Sequence, residues 1–146
     1  MNDADTPILK FPLLRSFAVV VGIGTAAGLV GFLLLGQFDR HDLVPVMAGV
    51  GLAACLAAIA ALIPIGLMAH RYDTGMVHGA MIGFMVRLFG TFVGAAIVAA
   101  VSSFSIDALA IWAIGWYVLF LAVEVGLMVR YLGRIMPMQP AQGGAL

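Results

Sequence analysis

Between Leu13 and Leu132 the chain consists almost wholly of four apolar runs: Leu13–Phe38, Leu43–Ala69, Met76–Val101 and Ala108–Leu132. A helix needs about 20 apolar residues to cross the hydrocarbon core of a bilayer. Each run is longer than that, so each can span a membrane with some tilt. The connections Asp39–Asp42, His70–Gly75 and Ser102–Asp107 are too short for a domain or a long crossover. Short connections make consecutive helices antiparallel neighbours. A strand reading fails, because the runs show no sustained period of two. The expected fold is an all-α membrane protein, with four transmembrane helices in an up-down antiparallel bundle that forms one domain over 13–132.

Composition agrees with that expectation and excludes other classes. Hydrophobic residues make up 64% of the 146 and charged residues only 10%. Soluble domains sit near 45–50% apolar with about a quarter charged. Seven basic residues balance seven acidic ones, so no basic surplus exists to neutralise nucleic-acid phosphates. Cys55 is the single cysteine, which leaves no internal disulfide and no thiolate metal site. The expected surroundings are a lipid bilayer. The polar N-terminal tail, 1–12, opens on Met1-Asn2-Asp3-Ala4-Asp5 and lacks the positive start of a secretory signal. The first span is therefore expected to be retained. The stretch 133–146, rich in Pro, Gln and Gly, is expected to be a flexible tail.

Lys and Arg placement predicts orientation. Lys10, Arg15, Arg71, Arg130 and Arg134 all flank one side, with His70 beside Arg71. Arg40 alone flanks the other, between Asp39 and Asp42, and the last connection carries Asp107. This bias predicts both termini in the cytoplasm. Trp112 and Trp116 on the outer side, with Tyr72 and Tyr131 on the inner, suggest an aromatic belt at the two interfaces.

Two charges lie well inside the spans, away from their ends. Arg87 is in the third and Glu124 in the fourth. At about 1.5 Å per residue their depths from the cytoplasmic end are roughly 16 and 12 Å. An unpaired charge at mid-membrane costs about 2.5–3.5 kcal/mol on the insertion scale. Opposite charges at matched depth on neighbouring helices are expected to pair. The third span also carries Gly75, Gly79, Gly83, Gly90 and Gly94, which with Arg87 recur at spacings of three and four. Such spacing puts all six on one helix face. A small-residue stripe admits a second helix closely, so this face is expected to be a packing or partner-docking seam. Whether the Arg87–Glu124 pair only sets helix register or serves a function stays open at this stage.

The remaining features read as packing. Gly22, Gly24, Gly28 and Gly31 mark the first span as another close-packing helix. Pro64 removes one backbone hydrogen bond from the second span and is expected to kink it. His41, His70 and His78 sit at helix ends, and the nine methionines, Met81 and Met85 among them, are expected to fill the core. Cys55 is expected to pack in the interior. The sequence holds no nucleophile–base pair, P-loop or dinucleotide fingerprint. No enzyme activity, cofactor or metal site is expected.

Over roughly Val44–Leu132 the chain resembles the ATP synthase protein I family of small inner-membrane proteins. Pro64 matches a proline that this family often places in its second span, with Ile65 where asparagine is frequent. Gly83-Phe84-Met85-Val86-Arg87 keeps the glycine and the basic residue of a Gly-Glu-x-x-Lys pattern, with Phe84 in place of the acid. The aromatic-rich stretch from Trp116 ends in Glu124, where the family often has a polar residue. An acid lost at Phe84 and gained at Glu124 would keep the Arg87 charge compensated. The resemblance implies a bacterial inner-membrane protein that assists rotor-ring assembly in F-type ATP synthases and associates with ring subunits. A role in magnesium supply also attaches to that family. Two other classes accommodate the same residues: a small ion channel or transporter built as a homo-oligomer, and a structural membrane subunit with no activity of its own.

Overall fold

The computed structural model describes residues 12–68, 75–101 and 105–135. These form four α-helices, α1 (Leu13–Gln37), α2 (Val44–Met68), α3 (Gly75–Val101) and α4 (Ile106–Ile135), with a 3-10 turn at His41–Leu43. All four are long and apolar enough to cross a membrane, which makes this an integral membrane protein. Helix α4 runs to Ile135, three residues past the expected end of the fourth span at Leu132. Lys10, His70, Arg71 and Tyr72 lie outside the described residues, as do most of both tails.

Local chemistry sets the helix boundaries. Helix α1 ends where Asp39 takes φ 54°, a left-handed conformation that Asp tolerates better than most residues. The Asp39 N–H donates to the Gly36 carbonyl and the Arg40 N–H to that of Leu35. This is the paired bonding of a Schellman end, and it satisfies carbonyls that the helix would otherwise leave open. Arg40 Nε then reaches Asp42 at 3.3 Å in an exposed pair. Pro45 falls in the first turn of α2, where a missing N–H costs nothing. At the start of α4 the Ser105 hydroxyl accepts from the Ala108 N–H at 3.4 Å, an N-cap bond, and Asp107 lies in the positive first turn. Pro64 stands inside α2, and the helix continues through it to Met68.

Helix α2 is the centre of the molecule. Half of its spanning stretch is buried within the protein, against 17% or less for the other three. Apolar burial has little driving force where lipid is as apolar as leucine, so shape decides the packing. Helix α2 carries Ala53, Ala57 and Ala61 at a spacing of four, and these meet the glycines of α3 in order. A Cβ built on Gly94 would lie 2.4 Å from the Ala53 Cβ, and one on Gly90 2.8 Å from the Ala57 Cβ. On Gly83 it would lie 2.6 Å from the Ala61 carbonyl oxygen, and on Gly79 2.9 Å from the Ile65 Cα and the Pro64 oxygen. The two backbones touch along their length. Of the two expected uses of this face, packing or partner docking, packing is the one seen here: four of its five glycines are covered by α2 of the same chain. Gly75, the fifth, is also buried.

Helices α1 and α4 pack on other sides of α2. The Trp116 indole N–H donates to the Met47 carbonyl at 3.1 Å, and its ring lies so close over Gly51 that a Cβ there would be 2.6 Å away. Phe120 stacks on Trp116 with centroids 5.7 Å apart and reaches Gly24 of α1. Trp116 is therefore a core residue, which corrects its expected place in an interfacial belt. Tyr131 is buried as well. Met81 and Met85 face outward from α3, contrary to the expected core filling, while Met47 does fill the core. Gly22 has open space around it, so it does not pack as Gly24 and Gly31 do. Cys55 is half-buried.

Two substitutions test this packing. Gly83→Ala would drive a methyl into the backbone of α2, and overpacking of this kind costs about 1–3 kcal/mol. Gly22→Ala meets nothing within 4 Å and gains helix propensity. Thermal unfolding in detergent should show Gly83→Ala clearly destabilised and Gly22→Ala unchanged or slightly stabilised. Equal behaviour of the two would contradict the close α2–α3 seam.

Candidate functional site

Arg87 lies near the midpoint of α3, between Gly83 and Gly90, where the helix is pressed against α2. Its side chain extends to α4. The guanidinium Nη1 donates to Glu124 Oε2 in a buried hydrogen-bonded ion pair. Arg87 is only 1% exposed and Glu124 4%. The pair leaves no net charge in the apolar interior, which is what makes two such residues tolerable there.

Aromatic rings flank the cation. Its central carbon lies 4.8 Å from the Tyr117 ring centroid on α4 and 5.7 Å from that of Phe84 on α3. A ring face attracts a cation, and more strongly once water is excluded. Arginine suits this place better than lysine, because its planar fork can bond a carboxylate and stack on rings at the same time. Tyr117 stands two helical turns before Glu124 on α4, and Phe84 nearly one turn before Arg87 on α3. Helical spacing therefore delivers all four groups to one point.

The site keeps unused hydrogen-bonding capacity. Among the described residues, Arg87 Nε, Glu124 Oε1 and Thr91 Oγ1 are buried without a partner. Thr91 is the more telling because a helical threonine ordinarily bonds the carbonyl four residues back. Thr25 does so, to Val21 at 2.8 Å. Thr91, one turn beyond Arg87, does not. The site thus holds a spare donor, a spare acceptor and a hydroxyl able to play either part.

The helices that carry the pair are unevenly packed. Helix α3 is bound closely to α2 but meets α4 much less along its length. Between α3 and α4 an apolar crevice of about 170 Å³ opens beside the cluster, with Thr91 and Phe92 on one wall and Ala113 and Tyr117 on the other. Phe92 and Ile114 at its edge are exposed on the outer surface of the bundle. The crevice presents apolar surface and suits an apolar group; Arg87 and Glu124 themselves do not line it.

The structure brings together the two charges singled out in the sequence and adds Thr91 and Tyr117, which were not, and Phe84, noted there only as standing where an acid is frequent. Phe84, Thr91 and Tyr117 were within reach, since Thr91 follows Arg87 by four and Tyr117 precedes Glu124 by seven. The glycine stripe contributes by fixing α3 against α2 rather than by contacting a ligand. Pro64 takes part through its carbonyl, which abuts Gly79. No group of three His, Cys, Asp or Glu able to hold a metal ion occurs among the described residues. Comparison with protein-family models, with curated proteins and with solved structures finds no match to this chain.

A double-mutant cycle tests how tightly the pair is coupled. Removing one partner of a buried pair costs about 3–5 kcal/mol, whereas replacing both by apolar residues is often neutral. Arg87→Leu and Glu124→Leu should each destabilise the detergent-solubilised protein strongly. The double variant should return to near wild-type stability. Additive losses would mean that the two side chains act independently.

Proposed function

We propose that this chain is an accessory and assembly factor for the F-type ATP synthase, acting through intramembrane helix–helix contact with rotor-ring subunits. The observation that carries the reading is the Arg87–Glu124 pair, buried yet incompletely bonded, beside an apolar crevice between α3 and α4 that Thr91 and Tyr117 line. Rotor subunits are apolar hairpins with a carboxylate inside the membrane. Such a hairpin offers apolar surface to the crevice and a second carboxylate to Arg87. Arg87 has a free Nε with which to receive it while Glu124 still holds Nη1. The guanidinium thereby shields the ring carboxylate while the ring is incomplete and releases it once neighbouring subunits close around it.

The arrangement in the membrane belongs to the same proposal. We place the four helices up and down in antiparallel order in a bacterial inner membrane, with both termini in the cytoplasm. The α2–α3 contacts support this: Ala53, Ala57, Ala61 and Ile65 meet Gly94, Gly90, Gly83 and Gly79 in turn, so one chain direction rises as the other falls. The Lys and Arg bias of the flanks supplies the cytoplasmic assignment.

The charge-free double variant Arg87→Leu/Glu124→Leu separates folding from function. In cells carrying it in place of the native protein, membrane levels of the variant should be normal. Assembled ATP synthase on native gels should fall severalfold, with unassembled ring subunits accumulating. Normal assembly alongside normal variant levels would overturn the proposal.

A further inference from the structure

We propose that the cavity where α1 begins and α4 ends is an anion site for a phosphate group, whether on an anionic lipid headgroup or free in solution. The cavity has a volume of about 200 Å³, room for several waters at about 30 Å³ each. Its walls bring Arg15 and Ser16 of α1 to Arg130 and Tyr131 of α4, residues more than a hundred positions apart in the chain.

Charge is the first argument. Among the described residues no carboxylate lines this cavity, and neither Arg15 nor Arg130 has an ion-pair partner. Two cations line one small cavity, and an anion held between them would be attracted by both. The nearest acid along α4, Glu124, is committed to Arg87. Guanidinium groups match phosphate oxygens in geometry as well as charge, and each can bond two of them. Helix α1 also starts at this cavity, and Pro12 before it provides no side-chain cap. The open N–H groups of a first turn add positive potential there.

Depth is the second argument. The spanning stretches of α1 and α4 run Leu13–Gln37 and Ile106–Tyr131. Arg15 and Arg130 therefore lie at the ends of two spans, the level at which lipid phosphates sit. Val19 and Leu127, one turn further into each span, also line the cavity. A phosphate held by the arginines would have apolar surface directly beneath it, where acyl chains begin. Both arginines are exposed, so altering them does not disturb the core.

Native mass spectrometry of the full chain released from nanodiscs tests this. The discs would contain phosphatidylglycerol and phosphatidylcholine in equal amounts. Wild type should retain phosphatidylglycerol in preference to phosphatidylcholine. A surface cation is worth about fivefold in affinity for an anionic lipid. Arg15→Gln/Arg130→Gln should therefore lower retention by about thirtyfold, and Arg15→Lys/Arg130→Lys should keep most of it. Adding inorganic phosphate distinguishes the two sources. Retained lipid in its presence assigns the site to a headgroup, and displacement of the lipid by phosphate assigns it to the free anion. Equal retention of phosphatidylglycerol by wild type and the glutamine variant would overturn the proposal, as would wild-type indifference between the two lipids.

Discussion

A single buried ion pair decides how the second half of this molecule is arranged. Arg87 and Glu124 are the two charged side chains buried among the described residues, and neither can remain in an apolar interior alone. Their union ties α3 to α4 across a boundary that is otherwise loosely packed. It also draws Tyr117 and Phe84 over the cation. Elsewhere the helices are held by shape and by the Trp116–Met47 hydrogen bond, but this contact is held by charge. Shape complementarity has one good solution, whereas a charge can change partners at modest cost if another of the same sign is offered. Under the proposed function, that difference makes the α3–α4 boundary the place where exchange would occur.

The close-packed half makes such a boundary sustainable. Backbone-to-backbone contact between α2 and α3 fixes the height and rotation of Arg87. Trp116 fixes α4 on α2 through its bond to the Met47 carbonyl and the close approach of its ring to Gly51. Both helices that carry the charges are thus anchored on the same central helix. The gap between them is then set jointly by α2 and by the ion pair that crosses it. The two spare polar atoms of the pair follow from that arrangement, because helices fixed from behind cannot turn to satisfy every lone pair and proton.

Much of the architecture was legible in the sequence, and the misses share one cause. Span boundaries came out within a few residues, because length and apolarity are what define a spanning helix. Arg87 and Glu124 stood out because polarity is rare in such helices and carries information. Apolar residues carry far less. A methionine on α3 is equally content against lipid or protein, so Met81 and Met85 gave no sign that they face outward. Trp116 has the composition of an interfacial residue, and only the three-dimensional course of α2 shows that a carbonyl and a glycine await it. The glycine stripe was read correctly as a close-approach surface, but spacing alone could not say which helix approaches. The alanines of α2 were the missing clue, since Ala53, Ala57 and Ala61 recur at the spacing of four that faces such a stripe.

The most direct measurement is co-purification from native membranes in mild detergent, with ring subunits quantified by mass spectrometry against wild type and the charge-free Arg87→Leu/Glu124→Leu variant at matched expression. The account requires ring subunits to be enriched with wild type and lost with the variant. Ring subunits absent from wild type, or enriched equally with both, would contradict it.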